Sequence, residues 1–194
     1  MTAGRGSVGP DVMLDLHRRM TRIRLVEEKI ASEYPRQEMR CPVHLHTGTE
    51  QVAAGVLAAL PDPRAVFGSH RCHGPYLASD GSIYKMFAEL HGLPTGCCGG
   101  RGGSMHLYDP YAGFLGSSGL VGGSVPIAAG YAWARPEVRV VVFAGDGALE
   151  EGIVLETLAF ARAKLPNFLL AIEDNGLSTN TTLAERPWNP IHAM

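Results

Sequence analysis

Two short segments constrain what this chain can fold into more than any others. The first is Val138-Arg139-Val140-Val141-Val142-Phe143-Ala144-Gly145-Asp146-Gly147, and the second is Phe168 to Ile172 continued by Glu173-Asp174-Asn175-Gly176-Leu177. Each is an apolar run of strand length that ends in turn residues, and a helix-forming stretch separates them. Strands without polar alternation are expected where helices cover both faces of a parallel sheet. A parallel strand–helix–strand unit crosses over right-handed, so both strands end at the same sheet edge. Asp146 and Asn175, 29 positions apart, then lie side by side at the carboxyl rim, where open α/β sheets bind ligands. A carboxylate and an amide oxygen beside a helix start suit a hard cation that holds a phosphorylated ligand.

The remaining composition narrows the class. A length of 194 residues supports one domain with a full core, read here as residues 11–194 behind a disordered arm over 1–10. Formal charge is −2 and Lys and Arg do not gather in runs, which argues against nucleic-acid or membrane-surface binding. Cys41, Cys72, Cys97 and Cys98 form no C-x-x-C pair, so reduced thiols in a cytoplasmic setting are expected. Residues 1–10 hold no apolar run that would read as a secretory signal, and no stretch has transmembrane length.

Along the chain, Asp11 is expected to cap a scaffold helix carrying Met13, Leu14, Met20, Ile23, Leu25, Val26 and Ile30, with its Arg and Glu residues solvated or paired. A loop over 34–46 follows, then a helix from Thr49 to Leu60 stopped by Pro61-Asp62-Pro63, and a short strand Ala65–Phe67. That strand runs into Gly68-Ser69-His70-Arg71-Cys72-His73-Gly74, where two histidines and an arginine replace ordinary turn residues. Ser82–His91 reads as a helix. Glycine-dense loops span 96–106 and 116–123, and their amides are suited to anions. Helices are expected over Val125–Ala134 and Ala148–Ala163, the latter packing through Ile153, Leu155, Leu158 and Ala159. A closing loop carries Pro187 and Pro190.

These motifs together identify a resemblance. Gly145-Asp146-Gly147 with Asn175 is similar to the Mg²⁺ and thiamine-diphosphate motif of thiamine-dependent enzymes. Gly102-Gly103-Ser104-Met105-His106, His70-Arg71-Cys72-His73-Gly74, Gly119-Leu120-Val121-Gly122 and Lys164-Leu165-Pro166 narrow it. Taken along the chain in the family's order, from about Leu14 to Thr181, the sequence resembles the alpha-type subunit of the 2-oxo acid dehydrogenase first component, the pyruvate and acetoin dehydrogenase group. The implied fold is the α/β thiamine-diphosphate-binding fold, a parallel sheet flanked by helices and incomplete on its C-terminal side. The chain would be a split subunit, a fragment or a truncated relic.

The resemblance also implies roles. Asp146 and Asn175 would bind Mg²⁺ through their side chains and Leu177 through its carbonyl. Gly147 and Ala148 would meet the diphosphate with backbone amides, and Arg71 with its guanidinium. His70 stands where many members have tyrosine. Gly119 and Val121 match positions at the aminopyrimidine, and His44 and His73 match active-site histidines. Arginine suits a diphosphate through its bidentate fork, and histidine suits proton transfer near neutrality. The catalytic glutamate would come from a beta-type partner in a hetero-oligomer, a dimer of heterodimers, with an acyl-carrier or lipoyl domain as acceptor. The expected reaction is decarboxylation of a 2-oxo acid with transfer of the acyl or aldehyde unit. Transketolase-like transfer of a ketol unit and an inactive structural pseudo-subunit are the alternatives.

Plain structural readings stand beside these. Asp146 could simply cap a helix and Asn175 simply turn a loop. His70, Cys72 and His73 lack the second ligand pair that zinc needs. Cys97-Cys98 reads as a buried pair of small residues rather than a redox centre. His17, His91 and His192 read as surface positions, and His106 and Met105 as packing residues.

Overall fold

The computed structural model describes residues 9–60, 62 and 64–186. The arm expected over 1–8, the stops at Pro61 and Pro63, the closing loop from Pro187 onward and His192 lie outside these residues. Pro10 is not part of an arm, because it opens the first helix, α1 (Pro10–Glu33). Proline suits that first position, whose N–H has no intrahelical partner. Gly9 is the N-cap, and Asp11 sits in the first turn rather than capping it.

Four parallel strands make the sheet, in the order β2 (Phe114–Ser117), β1 (Arg64–Gly68), β3 (Arg139–Gly145), β4 (Phe168–Glu173). The physical basis is clearest in β3, whose side chains alternate between two cores. Val141 and Phe143 face the layer of α1, α2 (Glu50–Ala59), α3 (His73–Ala78) and α4 (Ile83–Leu90). Val140, Val142 and Ala144 face α5 (Ser124–Ala134) and α6 (Gly152–Lys164). Each fully buried valine contributes roughly 1.5–3 kcal/mol of transfer free energy. Small residues Ala128, Ala129 and Ala132 let α5 approach the sheet closely.

Several expectations are corrected. β2 is an unexpected strand whose Gly116 and Ser117 fall in the glycine-dense loop expected over 116–123, and α3 an unexpected helix that starts at the end of the histidine-rich segment 68–74. Gly116 has a φ of 149°, a conformation that kept glycine in the strand. The helix expected from Ala148 starts at Gly152, because Asp146–Glu150 forms a 3-10 turn. α6 packs through Val154, Thr157 and Ala161, with the expected Leu158 against the same core, while Ile153 and Ala159 are exposed. On α1, Ile23, Val26 and Ile30 are buried, whereas Met13, Leu14 and Leu25 face solvent. Glu27 is neither solvated nor paired across the surface; it is fully buried.

Beyond β4 the chain forms a small antiparallel hairpin, β5 (Leu177–Ser178) and β6 (Thr181–Thr182), then a 3-10 turn Leu183–Glu185. No helix among the described residues is long and apolar enough to cross a membrane.

Candidate functional site

The register of β3 against β4 builds the site. Gly145 pairs with Glu173, so Asp146 and Asn175 follow immediately at the shared carboxyl end. β1 ends beside them and delivers Ser69, His70 and Arg71. One cavity of about 530 Å³ at this rim is lined by His44, His70, Arg71, Val121, Asp146, Gly147, Ala148, Asn175 and Leu177, with Glu173 and Ser178. That volume is in the range of small-molecule sites, ~300–1,000 Å³.

The lining carries both signs of charge. His44, His70 and Arg71 are its basic members, and the His44 and His70 rings meet edge to face, centroids 5.2 Å apart. Arg71 Nη1 donates to the Leu45 carbonyl at 2.8 Å, which fixes the guanidinium in place. Burial and then the neighbouring positive charges hold both histidines below the usual imidazole pKa, so both are neutral near pH 7. Asp146 and Glu173 are its acidic members.

Two of the sequence-predicted residues are placed elsewhere. His73 does not line the cavity. It is fully buried behind it, with Nδ1 2.7 Å from Glu27 Oε1 and Nε2 2.9 Å from Ser104 Oγ. Gly119 also lies off the cavity wall, and its amide donates to His106 Nε2 at 3.3 Å. The zinc reading ends here, since His70 faces the cavity, His73 faces Glu27 and the Cys72 thiol donates to the Ser104 carbonyl at 3.2 Å.

The structure adds residues for which the sequence offered no signal. Glu27 reaches from α1 through the core, accepting the His46 amide at 2.6 Å on Oε2 while Oε1 takes His73. Ser104 accepts the His44 backbone amide at 3.2 Å, so the Glu27–His73–Ser104 chain holds the segment that carries His44. The His46 ring lies between the Arg71 carbonyl, 3.1 Å from Nδ1, and Glu173, 3.1 Å from Nε2. The second contact has the distance of an ion pair but not hydrogen-bond geometry. Burial alone would depress the His46 pKa, but Glu173 outweighs it and the net shift is upward.

Asp146 is 2% exposed and its Oδ2 takes Arg186 Nη2 at 2.5 Å. Asn175 Oδ1 accepts the Leu177 amide at 2.9 Å, an Asx turn. Carboxylate, amide and carbonyl oxygens are the hard donors that Mg²⁺ takes, and here they come from two strand ends facing one cavity. The residues present therefore fit such a cation, on condition that Asp146 and Asn175 exchange their internal partners for it.

Among the described residues, one further cluster has metal-ligating atoms in mutual reach: Glu89, Cys97 and Cys98. Its carboxylate is already committed. Glu89 accepts four backbone amides, from Cys98, Gly100, Gly102 and Gly103, at 2.6–3.1 Å. Burial would raise its pKa, yet those four donors hold it below the ordinary value. Cys97 and Cys98 are half-buried free thiols rather than a fully buried pair.

Comparison with known proteins gives a consistent picture. The model of the family described as "Dehydrogenase E1 component" matches residues 18–187. The alpha subunit of acetoin:2,6-dichlorophenolindophenol oxidoreductase from Cupriavidus necator is 33% identical over 177 residues, 89% of this chain and 53% of that protein. Its Bacillus subtilis counterpart is 36% identical over 180 residues, 90% of this chain and 54% of that protein. The mitochondrial pyruvate dehydrogenase E1 component subunit alpha-1 of Oryza sativa subsp. japonica is 36% identical over 177 residues, 89% of this chain and 45% of that protein. The chain thus spans about half the length of the relatives it matches.

Proposed function

This chain belongs to the dehydrogenase E1 component family, and from that premise we propose that its rim cavity holds thiamine diphosphate and Mg²⁺ as the alpha-type part of a complex that decarboxylates a 2-oxo acid. The observation that carries the reading is the meeting of Asp146 and Asn175, from adjacent strand ends, with Arg71 across one cavity. Bound thiamine diphosphate would supply the carbanion and electron sink for decarboxylation.

The chain's own residues then bind, orient and move protons. Arg71, fixed by the Leu45 carbonyl, is positioned to take diphosphate oxygens with its remaining donors. Asp146 and Asn175, with the Leu177 carbonyl, would hold the cation in the same cavity. Gly147 and Ala148 line the cavity with backbone amides for the same anion. His44, neutral and on the wall, can accept or return a proton. His73 is buried and reaches the site through Ser104, which makes it a positioning residue for His44. Val121 would flank the organic part of the cofactor, and Gly119 supports that loop from behind.

The relatives described above are alpha subunits. By extension, this chain would work with a beta-type subunit in a hetero-oligomer, a dimer of heterodimers, and the partner would contribute the catalytic glutamate. A lipoyl or acyl-carrier domain is the fitting acceptor. Nothing in the site or the relatives favours ketol transfer or a structural pseudo-subunit.

The test uses the full chain with a beta-type partner, thiamine diphosphate, Mg²⁺ and pyruvate. Cation-dependent release of CO₂ is expected, and Asp146→Ala should abolish it together with cofactor binding measured by fluorescence quenching. Undiminished cofactor affinity in Asp146→Ala would overturn the assignment.

A further inference from the structure

We propose that Arg186 sets the affinity of the cation site: it is a built-in counter-cation that holds Asp146 until a divalent ion displaces it. This inference rests on the reading of Asp146 as a cation ligand. Arg186 is 8% exposed and divides its guanidinium between two carboxylates, Asp146 Oδ2 at 2.5 Å and Glu150 Oε1 at 3.1 Å. Both acceptors belong to the 3-10 turn that follows β3. Its Nε is buried with no hydrogen-bond partner among the described residues.

The backbone that delivers Arg186 is built for that placement. Glu185 closes a capping box on Thr182, accepting its amide at 2.8 Å and its hydroxyl at 2.6 Å. The Arg186 amide donates to the Leu183 carbonyl at 3.1 Å, and the Leu183 amide to the Gly176 carbonyl at 3.0 Å. The hairpin of β5 and β6 lies directly on Gly147: a Cβ there would sit 2.5 Å from Ser178 Oγ and 3.6 Å from Arg186 Nη1. One strap, residues 175–186, thus carries both Asn175, a proposed ligand, and Arg186, the competitor for Asp146.

A divalent ion on Asp146 and a guanidinium on the same carboxylate are like charges in contact, so each weakens the other's hold on it. Glu150 can retain the second amino group, and an entering diphosphate offers the guanidinium a substitute anion. Cation binding, in this account, loosens the Arg186 end of the strap while it recruits the Asn175 end. The competition sets how much of the intrinsic cation affinity is expressed.

The experiment measures Mn²⁺ binding to the full chain by electron paramagnetic resonance of the free ion. Arg186→Gln should bind Mn²⁺ about tenfold more tightly than wild type, a factor equivalent to ~1.4 kcal/mol. Arg186→Lys, which keeps the charge, should stay near wild type, and adding Asp146→Asn to Arg186→Gln should abolish the gain. Equal affinity of wild type and Arg186→Gln, both sensitive to Asp146→Asn, overturns this inference and leaves the cation site standing. Absence of Mn²⁺ binding in Arg186→Gln, or tight binding indifferent to Asp146, overturns both. Wild type supplies a second readout that needs no variant to fold. Phenylglyoxal labelling of Arg186, read by peptide mass, should rise on Mn²⁺ addition, and unchanged protection at saturating Mn²⁺ would defeat the proposal.

Discussion

Glu27 supports the site from behind the residues that line it, through His73 and the His46 amide. Its two oxygens serve two different segments, the His73 ring and the His46 amide, and both bonds are buried. A carboxylate so placed is costly to desolvate, and its partners are costly to leave alone. Glu27→Ala is expected to lower stability by roughly 3–5 kcal/mol in urea unfolding, the cost of breaking a buried pair. A loss under ~1 kcal/mol would mean that water replaces both bonds. None of this was legible in the sequence, where Glu27 is one of several charged residues on an amphipathic helix. Helical periodicity assigns a face; it does not tell which charged residue at the edge of that face turns inward to meet a histidine 46 positions on.

Among the elements, the glycine-dense loop from Gly96 to Gly103 is gathered around one carboxylate. Glu89, on the last turn of α4, gathers four amides of that loop around one carboxylate. Gly100 shows why glycine is needed there: its φ is +75°, and a Cβ would lie 2.5 Å from the Gly92 carbonyl carbon. The sequence reading that such amides suit an anion holds, but the anion is internal. Glu89→Ala leaves four amides without an acceptor. At ~1–3 kcal/mol for each one that stays buried, the expected result is a stability loss of at least ~2 kcal/mol. Hydrogen exchange in residues 98–103 should accelerate sharply, and native-like protection there would show that another acceptor substitutes. The same loop ends in Ser104, so disordering it also releases His73 and the His44 segment.

For the molecule as a whole, the helical layer over one sheet face depends on the contact between α1 and α2, which the Arg24–Glu50 pair joins at 2.6 Å. Burial opposes ionisation of Glu50, but Arg24 and the Gly48 amide prevail and its pKa falls from 4.5 to about 2. Because the folded value lies below the unfolded one, the stabilisation is complete above about 4.5 and fades as pH drops toward about 2. Glu50→Gln should therefore narrow the stability difference between pH 6 and pH 3, followed by urea midpoints, and an unaltered pH profile would assign the acid sensitivity elsewhere. The parallel sheet, its two buried faces and the meeting of Asp146 with Asn175 were all legible, because a βαβ unit obeys local rules: apolar runs make buried strands, and the crossover has one hand. β2 and α3 were not, since glycine and histidine mask their local propensity and packing on β1 decides both. Strand ends and their residue types are written in the sequence, and so is the family. Which charge neutralises which is not. The pairing of Asp146 with Arg186, Glu173 with His46 and Glu27 with His73 joins segments far apart in the chain, and only the packed core brings them close enough for burial to make the pairing obligatory.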